Sequence, residues 1–195
     1  METYNSAFLL SPEKEIAGRY DKLHLVPFGE YIPYLFSFTG RIIRWQTNMH
    51  HGRKLSLLPF PPARIGVLIC YEDIYPALTR RIVTEGAEVL VNMTNLAWFG
   101  KSSAIKQHLI MTVFRAIENR RYVLTAGNTG VTAFIDPVGK IISSVSPHTQ
   151  SSLVDEARAL RIKTFYSEYG DMFSYACIGC VLLIGLCGYW KEKSR

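Results

Sequence analysis

Arg64-Ile-Gly-Val-Leu-Ile-Cys70-Tyr71-Glu72-Asp73 is the stretch on which the fold turns. Ile65 to Ile69 is a continuous apolar run rich in β-branched residues, the pattern of a strand covered on both faces. The run stops at Cys70. Acidic and aromatic residues follow, and Pro76-Ala-Leu-Thr-Arg-Arg-Ile-Val then opens a helix with proline in its first turn. A cysteine at a strand-to-helix turn can be presented sharply as a nucleophile, beside backbone N–H groups and the positive end of a helix. The alternative is that Cys70 is simply a small core residue, as lone cysteines commonly are. Its partners decide between the two.

Outward from this stretch, helices and strands interleave. Ala7-Phe-Leu-Leu10 and Ile16-Ala-Gly-Arg-Tyr20 read as two strands joined by the turn Ser11-Pro-Glu-Lys. Tyr20 to Pro33 is a proline- and glycine-bearing loop that carries Lys22, His24 and Glu30 among apolar neighbours, and residues 34–63 read as an irregular, aromatic-rich excursion. Glu88 to Met93 is a second buried-strand pattern, and Thr94 to Gly100 a loop with two large aromatics, Trp98 and Phe99. Ser102 to Arg120 is predicted helical, capped by Ser102 or Ser103, with Ile105, Leu109, Val113 and Ala116 as its apolar stripe and its Met and Phe residues in the core. Tyr122 to Ala126, Gly130 to Ile135 and Lys140 to Val145 are three further strands, the last two joined by the turn Asp136-Pro-Val-Gly139. The class is therefore α/β. The sequence has no internal repeat, low-complexity run or dinucleotide fingerprint.

The end of the chain differs in kind. Met172 to Trp190 is nineteen residues without a charge, close to the length needed to cross a bilayer. Tyr175, Tyr189 and Trp190 stand near its ends and the tail 191–195 is basic, as interfacial anchors would be. The segment predicts a transmembrane helix over 171–190, with a buried core helix as the alternative. Met1-Glu-Thr-Tyr-Asn is polar and acidic, unlike a signal peptide. The net charge of +6 is scattered, so it points away from nucleic acid and fits a surface facing anionic lipid. Cys177, Cys180 and Cys187 lie inside the apolar segment and lack the second pair that a zinc site would need. Cys70 is the one cysteine outside it.

A thiol that transfers acyl groups needs a base or a nearby cation, donors for an oxyanion, and a proton for the leaving group. His24 and His108 are possible bases, but neither has the setting of a Cys–His enzyme. A lysine serves as well: Lys22 beside the thiol would favour thiolate and stabilise the oxyanion, with a carboxylate as the base.

The residues that fit this scheme fall in motifs. Tyr20-Asp-Lys22-Leu-His24-Leu-Val-Pro27-Phe-Gly29-Glu30-Tyr-Ile-Pro33, Cys70-Tyr71-Glu72 and Asn95-Leu-Ala-Trp98-Phe-Gly100 resemble the carbon–nitrogen hydrolase (nitrilase) superfamily and, within it, the apolipoprotein N-acyltransferases. Asn128-Thr-Gly-Val-Thr-Ala, the Asp136 turn, and Thr164-Phe-Tyr-Ser-Glu-Tyr-Gly-Asp171 ahead of the apolar segment extend the likeness along the chain. The resemblance implies a nitrilase-like αββα sandwich with a Glu–Lys–Cys triad over residues 1–170, and one C-terminal transmembrane helix. It makes Cys70 the nucleophile and Lys22 the lysine, with Glu30 similar to a second supporting glutamate. Tyr71 and Glu72 match positions around the nucleophile, and Trp98 and Phe99 a loop lining the lipid entrance. It implies no cofactor or metal. The partners would be a phospholipid acyl donor, a diacylglyceryl-modified lipoprotein acceptor and the bacterial inner membrane, with the catalytic domain periplasmic.

Two departures accompany the match. The family's first catalytic glutamate lies upstream of the lysine, yet only 21 residues precede Lys22 here, and Glu2, Glu13 and Glu15 do not fit that role. Leu96 also stands where the family commonly has aspartate. The expectation is a C-terminal portion of the enzyme, N-terminally truncated and inactive alone, with a separately encoded N-terminal half as a candidate partner. The competing expectations are a small-molecule amidase or nitrilase-type hydrolase, and a membrane-tethered remnant without chemistry.

Overall fold

The computed structural model of the chain describes residues 2–34 and 48–193. The apolar run is strand β4 (Ala63–Ile69), with Gly66 to Ile69 all buried. It lies in a six-stranded sheet with β3 (Leu58–Phe60), β5 (Val89–Thr94), β6 (Tyr122–Gly127), β7 (Thr132–Ile135) and β8 (Ile141–Val145), in that order across the sheet. β4, β5 and β6 are parallel, joined through α1 (Pro76–Thr84) and α2 (Ala104–Asn119). The β3–β4, β6–β7 and β7–β8 pairs are antiparallel. A second, two-stranded sheet is the hairpin β1 (Ser6–Leu10) and β2 (Ile16–Asp21).

The alternation of β4 sorts the core into two layers. Leu68 points to the helices and packs with Leu78, Ile82, Leu90, Ala116 and Val123. Val67 and Ile69 point the other way, onto Ala7, Tyr20 and Leu58 beneath the hairpin. Each fully buried aliphatic side chain of this kind stabilises the fold by about 1.5–3 kcal/mol. A Cβ on Gly66 would lie 2.3 Å from Ile82 Cγ2, so only glycine lets α1 approach β4 this closely. The described residues thus form a helix layer, a mixed sheet and a second sheet, three of the four layers that an αββα sandwich implies.

Several expectations need correction. Part of the expected excursion at 34–63 is regular: Leu58–Phe60 pairs antiparallel with residues 63–65 of β4 as an edge strand, where Pro59 costs no central ladder bond. Residues 35–47 of that excursion lie outside the described residues. Ser103 is the N-cap of α2 but makes no side-chain cap bond. The expected stripe of α2 does face the core, with Ile105 and Ala116 buried and Leu109 and Val113 packed against it, but Met111 and Phe114, also expected in the core, are 42% and 49% exposed, and His108, Thr112, Arg115 and Asn119 share the buried face. Polar residues at helical spacing hid only their own share of that face from a hydrophobicity reading. The turn Asp136-Pro-Val-Gly139 is as expected: Asp136 Oδ1 accepts from the Val138 and Lys140 N–H groups, and Gly139 takes φ 86°.

The chain closes with α3 (Phe165–Tyr169), capped by Thr164, and α4 (Met172–Lys193). The Met172–Lys191 part of α4 has a mean hydropathy of 1.9 and none of its most apolar window is buried. It is not a core helix of the domain.

Candidate active site

The carboxyl ends of the parallel strands are where α/β sheets place ligands, and here they gather Cys70, Asn95 and Gly127-Asn128. Cys70 does not sit against the N-terminus of α1, as its strand-to-helix position predicted. A 3₁₀ turn, Cys70–Ile74, intervenes, and α1 starts only at Pro76. Cys70 itself has φ 55°, a left-handed conformation that costs a residue with a Cβ about 1–2 kcal/mol. Such strain is tolerated where the surroundings over-determine it. The thiol is half-buried and points to the Asn95 carbonyl, Sγ to O 3.7 Å.

Glu72 is the strut of the site. Its carboxylate is fully buried and accepts from the Ile69 N–H (2.8 Å), the Leu23 N–H (2.7 Å), the His24 N–H (3.0 Å) and the Tyr20 hydroxyl (3.0 Å). One side chain therefore ties the backbone on either side of Lys22 to the strand end that carries Cys70. Burial pushes the Glu72 pKa up, and these same donors pull against it.

Lys22 is 1% exposed. Its ammonium donates to both oxygens of Glu30, at 3.0 and 2.8 Å, and Glu30 also accepts from Asn5 Nδ2 and the Val26 N–H at 2.8 Å each. Burial would raise the Glu30 pKa, but the hydrogen bonds from Lys22, Val26 and Asn5 and the Lys22 charge outweigh it, and the carboxyl lies below its ordinary range. A carboxylate so fully engaged orients the lysine; it is not a free base. Among the described residues Glu30 is the one carboxylate paired with Lys22. Glu2 instead pairs with Arg53 at the surface.

The aromatic residues form the outer rim. Tyr71 stacks with Phe99, centroids 6.3 Å apart. Trp98 is 78% exposed on a 3₁₀ turn, Ala97–Phe99, that ends at Gly100 with φ 52°. Asn95 Oδ1 accepts from the Ala97 N–H and fixes the start of this turn. An exposed aromatic pair next to a half-buried thiol suits an apolar substrate. His24 stacks on Tyr75 at 4.6 Å.

Beneath the nucleophile lies a polar cluster that the sequence reading missed. Asp73, fully buried, accepts from Asn92 Nδ2 (2.7 Å) and the Thr112 hydroxyl on one oxygen. Its other oxygen is 3.1 Å from His108 Nε2, a contact without hydrogen-bond alignment. Burial pushes Asp73 up to about 7, against the pull of Thr112, Arg115 and Asn92. His108 is held below its ordinary value by burial, partly offset by the Cys70 backbone carbonyl against its ring. The signal in the sequence was the four-residue spacing of His108 and Thr112 on the inner face of α2.

A cavity of about 600 Å³ lies at the other end of the same strands, lined by Arg64, Glu88, Arg121 and Arg161 among others. It is remote from Cys70, and its charged groups are largely paired with one another or with backbone carbonyls.

Comparison with known proteins identifies the family. Residues 1–160 match the carbon–nitrogen hydrolase family. The apolipoprotein N-acyltransferase of Geobacter metallireducens is 43% identical over 191 residues, covering 97% of this chain and 37% of that protein. Apolipoprotein N-acyltransferase 1 of Treponema denticola is 38% identical over 194 residues, covering 94% and 36%. The chain thus spans a little over a third of the length of these relatives. Among solved structures, an amidase from Nesterenkonia sp. AN1, which shows covalent addition of an acetamide moiety at its active-site cysteine, superposes with a TM-score of 0.56. At 20% identity over 73% of this chain and 51% of the amidase, that likeness supports the fold alone.

Proposed function

Because the chain belongs to the carbon–nitrogen hydrolase family, we propose that it carries the nucleophile and the oxyanion-stabilising part of an apolipoprotein N-acyltransferase, with Cys70 as the acyl carrier. The observation that supports this most is the Glu72 carboxylate, which holds the Lys22 segment and the Cys70 turn together. In this reading the Cys70 thiolate attacks an ester carbonyl of a phospholipid. The oxyanion is stabilised by the Lys22 ammonium and the Tyr71 N–H. The C–O bond breaks, lysophospholipid leaves with a proton, and a thioester remains on Cys70. The free α-amine of a diacylglyceryl-cysteine lipoprotein then attacks the thioester, loses a proton, and takes the acyl group as an amide while the thiolate leaves.

Glu30 keeps Lys22 in place, and Tyr71, Trp98 and Phe99 form the apolar rim over which an acyl chain enters. The proton traffic needs a carboxylate base. Glu30 is engaged and Glu72 is buried behind the turn, so among the described residues none is free for it. Loss of a general base costs about 10²–10⁴-fold, and the reading therefore requires such a group from outside these residues.

Helix α4 is the membrane element of this proposal. Its 22 residues span about 33 Å at the helical rise, against a hydrocarbon core of about 30 Å. Both substrates are lipids, so a bilayer anchor with the domain on the periplasmic side of the inner membrane fits the chemistry.

The test replaces the aligned third of the Geobacter metallireducens relative with this chain. Transfer from phosphatidylethanolamine to a diacylglyceryl peptide is then measured for the chimera, its Cys70→Ala form and the isolated chain. Transfer is expected from the chimera alone. A silent chimera, or one unaffected by Cys70→Ala, would sink the reading.

A further inference from the structure

The charged cavity at the amino ends of the parallel strands has no part in the chemistry at Cys70. The length of β4 separates Arg64 from Cys70, about 20 Å of extended chain, so a small ligand held at one end does not reach the other. Four cationic side chains line the cavity, Arg64, Arg121, Arg161 and Lys163, against two carboxylates, Glu88 and Glu168. Each carboxylate already has a cation: Arg161 pairs with Glu88, and Lys163 with Glu168 at 3.2 Å. Arg64 and Arg121 are left over.

We propose that this cavity is a phosphate-binding site built around the guanidinium groups of Arg64 and Arg121. Arg121 is the stronger argument. It is 4% exposed, yet it forms no ion pair among the described residues. Its Nε donates to the Ala87 carbonyl at 2.8 Å, and its Nη1 to the carbonyls of Asn119 and Arg120 at 3.1 Å each and of Ile162 at 2.7 Å. None of these bonds uses Nη2. Charges are rarely buried without an opposite charge to complete them, and this one lines a cavity with room for it.

Arg64 supplies the second fork. Its backbone N–H is engaged by Glu88, but its guanidinium has no hydrogen-bond partner among the described residues. That group lies across Gly86, where a Cβ would stand 2.3 Å from Nη2. Gly86, at φ 106°, therefore leaves the arginine its place along the wall. Two guanidinium forks lining one cavity suit a phosphate, whose oxygens accept in pairs.

The surroundings favour a phosphate ester of a lipid over the free anion. The cavity, about 600 Å³, is larger than one phosphate needs, and Val83 and Tyr169 add apolar surface to its wall. Tyr169 ends α3, and α4 begins three residues later at Met172. With α4 read as a membrane span, this wall lies close to the headgroup layer, where basic pockets hold anionic lipids. Such a lipid is not the acyl donor, because its ester carbonyls stay within a few bonds of its phosphate, far from Cys70.

The experiment uses the full chain carrying Cys70→Ala, in an uncharged detergent at constant ionic strength, so its result stands apart from the acyl-transfer reading. Phenylglyoxal modifies accessible arginines. Mass spectrometry follows Arg64 and, as a reference outside the cavity, Arg53. The probes are inorganic phosphate and dihexanoylphosphatidylglycerol. At least one is expected to slow modification of Arg64 about fivefold or more, while Arg53 changes less than about twofold. Arg161→Gln frees the Glu88 charge beside the site and should raise the half-protecting concentration about tenfold, whereas Glu88→Gln should lower it. Lys14→Gln, the same loss of charge on the β1–β2 turn, should leave it unchanged. Protection at lower concentration by the lipid names a headgroup as the ligand, and by inorganic phosphate a free anion; either upholds a phosphate site. No protection by either probe, equal protection of Arg53, or one half-protecting concentration across all three variants overturns the proposal.

Discussion

The two ends of the parallel strands each bury a glutamate, and they satisfy it in opposite ways. At the carboxyl ends, Glu72 accepts only from neutral groups: three backbone N–H groups and a tyrosine hydroxyl. At the amino ends, Glu88 accepts from the Arg161 guanidinium and the Arg64 N–H, and the Arg161 side chain is 81% exposed. Burial raises the pKa of Glu72, whereas the Arg161 hydrogen bond lowers that of Glu88. The first arrangement organises several chain segments around one acceptor and leaves the site's cation, Lys22, to its own partner. The second clips the segment before α3 onto the sheet, and water can replace its cation.

Glu72→Ala should break this contrast most severely. It would orphan two buried donors, the Tyr20 hydroxyl and the Ile69 N–H, at about 1–3 kcal/mol each, and two part-buried ones, the Leu23 and His24 N–H groups, so urea unfolding of the chain should show a loss of several kcal/mol or no cooperative transition. A loss near that of a surface pair would mean that these donors find other acceptors. Lys22→Met comes next. It leaves the Glu30 carboxylate without its cation, a loss of about 3 kcal/mol, and should lower p-nitrophenyl butyrate acylation of Cys70 by about 10²–10³-fold.

Asp73→Asn sharpens the comparison through pH. The folded pKa of Asp73, about 7, lies above its unfolded value of 3.8. Between these values the folded state holds a proton that the unfolded chain has lost, so stability falls as pH rises through that window. His108, with its pKa lowered from 6.5, acts in the opposite sense, and only as pH falls below its unfolded value. From about pH 4 to about pH 7 the stability of the parent relative to Asp73→Asn should therefore fall as pH rises, and the difference should level off above that window. Parallel melting curves across that range would contradict the assignment. The smallest effect is expected from Arg161→Ala, because that guanidinium is largely exposed and water can take its place; the same urea titration measures it.

What was legible in the sequence follows from these two kinds of interaction. β4, β5 and α1 could be read because Ile65–Ile69, Val89–Met93 and Pro76 carry local signals of burial and of a helix start. The resemblance brought Lys22, Glu30, Cys70 and Glu72 to notice; Lys22 bonds to Glu30, and Glu72 accepts from the N–H groups of Leu23, His24 and Ile69. It did not reveal that Glu72 is the link between the segments, since its donors are backbone groups, which no side-chain pattern encodes. His108 and Asp73 stayed hidden for another reason: a polar residue on the buried face of α2 has the same sequence appearance as one on a wet face. β3 was missed because prolines dominate its turn, although an edge strand accepts them.

Pro59 has a further consequence. It stands in the middle of β3, the outermost strand on one side of the six-stranded sheet, and offers no N–H there. The proline margin is thereby a poorer template for a stray strand from another copy, because added strands pair through backbone N–H and C=O groups.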